Sequence, residues 1–66
     1  MCEAHVYMEK EGRQELLLES VDIIEPQEDG ALRMVNIFGE QKIVRGVMKY
    51  MQLVEHRIVL VPLAAG

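Results

Sequence analysis

The chain has one cysteine, no tryptophan, one phenylalanine and no excess of basic residues. Each shortage closes off a class of protein. With a single thiol there is no internal disulfide to hold a secreted mini-protein together. The longest apolar stretch, Ile58 to Val61 ahead of Pro62, is far too short to span a bilayer. Met1 to Lys10 carries two glutamates and no apolar run, so it does not read as a signal peptide, and the expected location is the cytoplasm. A net charge of −4 argues against nucleic acid and anionic membranes, because neutralising phosphate takes a basic excess. Ser20 has no base beside it in sequence, and the acidic residues from Glu3 to Glu55 are scattered. No glycine-rich phosphate loop, Cys-x-x-Cys or His-Glu-x-x-His pattern occurs. Nothing in the sequence points to an enzyme.

What is present is a great deal of hydrophobic surface for a small chain. Sixty-six residues allow one domain, spanning 1–66. A chain of this size buries only about 60% of the surface its unfolded form exposes, which leaves its stability marginal. Half of the residues are nevertheless hydrophobic. A partner subunit answers both problems, and a homodimer is expected.

The one cysteine, Cys2, lies a single peptide bond from the amino terminus. The Met1 amine, the Cys2 amide nitrogen and the Cys2 sulfur can close two adjacent five-membered rings around one ion. Square-planar nitrogen and sulfur donors suit Ni(II) or Cu(II), whereas tetrahedral thiolate sites suit zinc. One cysteine cannot fill four positions, but two Cys2 termini meeting in a symmetric dimer could. The competing reading of Cys2 is a small hydrophobe or an incidental thiol.

Residues 2 to 9 alternate. Cys2, Ala4, Val6 and Met8 fall on one face, and Glu3, His5, Tyr7 and Glu9 on the other, the period of a half-buried strand. Lys10 to Arg13 reads as a turn. Leu16 to Leu18 and Val21 to Ile24 suggest two short strands, and Glu25 to Gly30 a clear turn. Ala31 to Phe38 is a strand, with Gly39-Glu40 as a two-residue type II′ turn. The return strand starts at Gln41, and Gly46 within it marks a bulge or bend. Ile43, Val44, Val47, Met48 and Met51 also recur at helical spacing, but the β-branched residues and the preceding hairpin favour strand. Leu53 ends this segment, Val54 to His56 turn, and Arg57 to Val61 form the last strand. The expectation is an all-β fold, a small six- to seven-stranded barrel or roll.

His5 is the natural companion to Cys2, but the two have opposite parity on the strand. They meet at one metal only if the terminus bends or a second chain contributes His5. His56 falls in a turn and is expected to be a bystander, so that His56→Ala changes little. Lys42, Arg45 and Lys49 read as a solvated face without the aromatics that stack nucleotides. Met8, Met34, Met48 and Met51 read as gap-filling core.

Three segments carry a resemblance: Met1-Cys2-Glu3-Ala4, Asn36-Ile37-Phe38-Gly39-Glu40-Gln41-Lys42, and Val54-Glu55-His56-Arg57-Ile58. Together they resemble the CooT family, small nickel-binding accessory proteins linked to maturation of carbon monoxide dehydrogenase, over nearly the whole chain. The resemblance implies a homodimer of small SH3/Sm-like β-barrels binding Ni(II) through Cys2. It also implies carbon monoxide dehydrogenase or another nickel maturation protein as partner. The Met1 amine as a ligand is an inference from chelate chemistry, and the resemblance gives His5 no role. The alternative function is an RNA-binding or protein-interaction barrel with an incidental Cys2.

Overall fold

The computed structural model describes residues 3–62. Met1 and Cys2 lie outside the described residues. Five strands run in order: β1 (Ala4–Lys10), β2 (Arg13–Pro26), β3 (Ala31–Asn36), β4 (Gln41–Gln52) and β5 (Arg57–Pro62). Consecutive strands pair antiparallel. The ring closes through a parallel pairing of β1 with β5, His5 opposite Arg57 through Met8 opposite Leu60. All-β was therefore the right class, and residues 42 to 53 are strand and turn rather than helix.

The expectation of six or seven strands is corrected to five among the described residues. Leu16 to Leu18 and Val21 to Ile24 belong to one strand, β2. Its first part pairs with β1 and its second with β3. The polar pair Glu19-Ser20 is where the strand bends, not where it ends. Ser20 takes a positive φ of 56° and falls in a gap of the β1 register, between Val6–Leu18 and Ala4–Val21. β4 behaves likewise, starting on β3 and finishing on β5, with the change at Gly46. A Cβ at Gly46 would stand 3.0 Å from the Val61 carbonyl oxygen and 3.4 Å from Met8 Cε. Glycine is there because two backbones approach closely. The register shift in β4 lies further on, between Met48 and Tyr50.

The core holds Ala4, Val6, Val21, Met34, Ile58 and Leu60, with Met8, Leu17, Leu18, Ile24, Leu32 and Val44 packed against it. Ala4 and Val6 are buried, as strand alternation requires. Val59 points the other way and is still fully buried. It is paired with Tyr7 on β1 and Tyr50 on β4, and the Arg57 guanidinium sits 4.2 Å from the Tyr7 ring centroid. The assignment of every internal methionine to the core is corrected: Met34 is buried, but Met48 and Met51 are exposed. They lie beyond Gly46, on the arm of β4 that runs towards the turn 53–56.

Turn chemistry follows local sequence. Glu11 and Gly12 both have positive φ, as a two-residue type I′ hairpin demands. The hairpin expected to close at Gly39-Glu40 is instead a three-residue loop, Ile37 to Gly39. In it Asn36 N–H donates to the Glu40 carbonyl at 3.0 Å, and Gly39 N–H to the Asn36 carbonyl at 3.0 Å. Gly39 ends the loop with φ of 84°. The buried Asn36 side chain accepts from Phe38 N–H at 3.1 Å and Glu40 N–H at 2.8 Å, and donates to Glu40 Oε1 at 2.7 Å. These bonds stiffen a loop that presents Phe38, 68% exposed, to solvent.

Lys42, Arg45 and Lys49 are exposed and each has a local partner: the Leu17 carbonyl, Asp29 and Glu9 respectively. The reading of a solvated face stands. Among the described residues no helix is long and apolar enough to cross a membrane.

A candidate metal centre at the foot of the first strand

The parallel β1–β5 pairing decides what lies beside the amino terminus. His5 N–H donates to the His56 carbonyl at 2.8 Å, joining the start of β1 to the turn that precedes β5. That turn is set by Glu55 N–H on the Gln52 carbonyl at 3.2 Å and His56 N–H on the Leu53 carbonyl at 3.1 Å. His56 ends it in the left-handed region at φ 55°, which histidine enters more readily than most side chains. Glu3, His5, Glu55 and His56 line a shallow cleft there. Both histidines of the chain therefore sit at one place, beside Glu3 and Glu55. No spacing rule links positions 5 and 56, because only the closure of the barrel brings them together.

The two rings are held differently. His5 Nδ1 accepts from Ser20 N–H at 3.1 Å, so the neutral ring carries its proton on Nε2. This bond pins the bend of β2 to the first strand. His56 Nδ1 lies 3.0 Å from the Glu3 carbonyl oxygen. A carbonyl only accepts, so Nδ1 is the protonated nitrogen and Nε2 keeps its lone pair. His56 is exposed, whereas His5 is half-buried.

Among the described residues no group of three or more histidine, cysteine or carboxylate side chains is placed to hold a metal. Cys2 and Met1, the ligands expected from the sequence, fall outside those residues. The donor chemistry at the cleft fits nickel in part: imidazole nitrogen is present, and thiolate and amine lie one and two residues along the chain from Glu3. A full set needs those two residues, a second copy, or both.

A second acid–base pair lies away from this cleft. Lys49 hydrogen-bonds to Glu9 and holds its carboxyl below the ordinary glutamate range, with Gln14 helping. Glu9 in turn raises the Lys49 ammonium. Both ends remain in contact with water, and the pair closes a surface network with Tyr50 and Arg57 through Gln14. It joins strands and faces no cavity of the candidate site.

Comparison with known proteins gives the family and agrees with the fold. Residues 1–61 match the family model for CooT, the CO dehydrogenase accessory protein. A crystal structure of a protein from Carboxydothermus hydrogenoformans, assigned as CooT, superposes with a TM-score of 0.89 at 40% sequence identity. The match covers 96% of this chain and 100% of that one. No curated protein sequence matches the chain.

Proposed function

The chain belongs to the CooT family of CO dehydrogenase accessory proteins, and on that footing we propose that it binds Ni(II) through Cys2 and assists nickel insertion into carbon monoxide dehydrogenase in the cytoplasm. The family is one of accessory proteins rather than of enzymes. Nickel is here a cargo, to be held and handed on. The Cys2 sulfur anchors it and the Met1 amine stands beside it. His5, the further donor suggested by the sequence, lies in the cleft together with His56.

The observation that supports the reading most is this convergence of both imidazoles on the stretch of chain next to Cys2. Sulfur with amine and imidazole nitrogen is a donor set that Ni(II) accepts in a square plane. Protons compete for thiolate and amine, so binding weakens as pH falls, and a partner's thiolate can draw the ion away.

The working form is a homodimer. Val47, Met48, Met51, Leu53 and Val54 are all exposed, Val54 at 94%. Apolar surface gathered on one arm of so small a barrel calls for a covering partner. A symmetric dimer is what lets two Cys2 residues share one ion. Phe38 and its stiff loop offer a separate contact for the enzyme or maturation protein that receives the metal.

Nickel titration of wild type against Cys2→Ser tests the reading. Wild type should bind about one ion per dimer, with sulfur-to-nickel charge-transfer absorption that Cys2→Ser lacks. Sedimentation should give a dimer at micromolar concentration. Wild-type nickel affinity in Cys2→Ser would remove the proposal and leave a protein-interaction barrel, for which the exposed Phe38 and Val54 already speak.

A further inference from the structure

Resting on the reading of the chain as an accessory to CO dehydrogenase, we infer that the outer face of the three-stranded half of the barrel, carried on to the Phe38 loop, docks on that enzyme. Strand register places its residues. The second part of β2 lies against β3, and β3 against the first part of β4. Residues directly opposite in such pairs share a face of the sheet. Ile23, Val35 and Gln41 therefore form one row, and Glu25, Arg33 and Ile43 the next. The face is turned away from the core, since the alternate residues Ile24, Leu32, Met34 and Val44 are the ones packed inside.

Arg33 occupies the middle of this face with its charge already answered. Its Nη1 donates to Glu25 Oε1 at 2.6 Å and its Nε to Gln41 Oε1 at 3.0 Å, which holds the guanidinium between the two outer strands. Ile23 and Ile43 are exposed on either side, and β3 runs on into the exposed Ile37 and Phe38. An arginine fixed among apolar side chains is the composition of a protein-binding centre. Arg45 is likewise paired, with Asp29. The ion pairs among the described residues leave out Asp22, Glu28 and Glu40. Asp22 and Glu40 border the end that carries Phe38, and Glu28 lies in the turn between β2 and β3 at the other end. The uncompensated charge at the rim is negative.

Size and charge select the occupant. Three strands about 4.8 Å apart, at about 3.3 Å per residue over the six residues of β3, make a face about 10 Å by 20 Å. Even with the loop added, that falls short of the roughly 800 Å² per partner of a stable association. A brief encounter fits it and a permanent second copy does not. A second copy would also set the same acidic rim against itself. That rim repels nucleic acid and anionic membranes, and it complements a protein that presents basic residues around an apolar centre. The face shares no residue with the β4 arm assigned to the dimer. A protein that hands on a metal needs such a contact, one that forms and releases as the cargo moves.

The test titrates the full chain, metal-free and nickel-loaded, into metal-free CO dehydrogenase by calorimetry at low and raised salt. Phe38→Ser and Ile43→Thr change exposed side chains, and thermal unfolding confirms that each folds. Each should weaken binding by about fivefold or more, and the two together by more. Asp22→Lys with Glu28→Lys should weaken binding and flatten its salt dependence. Val47→Thr and Met51→Thr, on the β4 arm, should bind the enzyme as wild type does. Wild-type binding by the Phe38→Ser, Ile43→Thr double variant would overturn the inference. So would equal losses from the β4 variants, or no detectable binding by wild type. A double variant that sediments as a monomer where wild type is a dimer would give the face to a second copy and overturn it too. Cys2→Ser separates the two levels, since it should dock normally while failing to bind nickel. If it binds nickel like wild type, the nickel reading fails and the docking result stands. If it loses nickel while the double variant docks like wild type, only this inference falls.

Discussion

β2 and β4 each change partners halfway along, and they turn their corners by different means. At Ser20 the chain keeps a side chain, takes φ to 56° and has its amide pinned by His5. At Gly46 it drops the side chain, so that the Val61 carbonyl can come within 3.0 Å of where a Cβ would be. One corner is made by backbone conformation and a histidine acceptor, the other by close approach. The first commits an imidazole to structure and the second commits none. That difference is why two histidines in one cleft are not equivalent, and why the corner at Gly46 can be altered without touching the candidate metal centre.

The largest effect should come from filling the second corner. Gly46→Val forces branched carbon against backbone and should lower stability by about 2–3 kcal/mol in urea denaturation. Gly46→Ala should cost less, since alanine recovers some strand propensity. Little loss from Gly46→Val would mean that the two corners are alike. At the first corner, Ser20→Val places a β-branched residue in the left-handed region and should cost about 1–2 kcal/mol. Ser20→Gly should be near neutral, and equal losses from both would show that φ is not what matters there. His5→Ala removes the acceptor for Ser20 N–H and should cost about 1 kcal/mol. Ser20→Gly keeps the donating amide, so in a double-mutant cycle the two changes should add, and a large coupling energy would show that His5 acts through the Ser20 side chain rather than its N–H.

The smallest effect concerns Glu9 and Lys49, which lie at neither corner. The Glu9 carboxyl is lowered, so its contribution is complete above the ordinary glutamate pKa and disappears as pH falls through the lower folded value. Lys49 is raised, so its contribution is complete below the ordinary lysine pKa and is lost only as pH rises through a higher one. Denaturation midpoints at neutral and acid pH should therefore converge slightly in Lys49→Met relative to wild type. An unchanged acid limb would show that this surface pair contributes nothing measurable.

Much of the fold was legible because its signals are local. Alternation over Ala4 to Glu9 placed β1, Gly12 and Gly30 marked turns, and the run Ile58 to Leu60 marked a last strand buried on both faces. The strand count failed at Glu19-Ser20, since a polar pair inside an apolar pattern looks the same whether a strand ends or bends. The loop after Asn36 was misjudged for a different reason. Glycine was weighed, but the habit of asparagine side chains of bonding backbone two residues on was not, and that habit would have flagged Phe38 and Glu40. At the candidate site the sequence singled out Cys2, Met1 and His5 through their closeness along the chain. It set His56 apart as a turn residue and did not place it in one cleft with His5, because a parallel contact between the first and last strands leaves no trace in periodicity.

That parallel contact also sets an order of events during synthesis. β1 leaves the ribosome first, yet its last neighbour is β5, some fifty residues behind at about 5–20 residues per second. Until His56 emerges, the carbonyl of Glu3 has no imidazole and the amide of His5 has no acceptor, and until Arg57–Pro62 follow, one side of β1 is an open edge. The part of the molecule made earliest is thus the part finished latest. A chain interrupted before β5 would carry its cysteine but not its cleft.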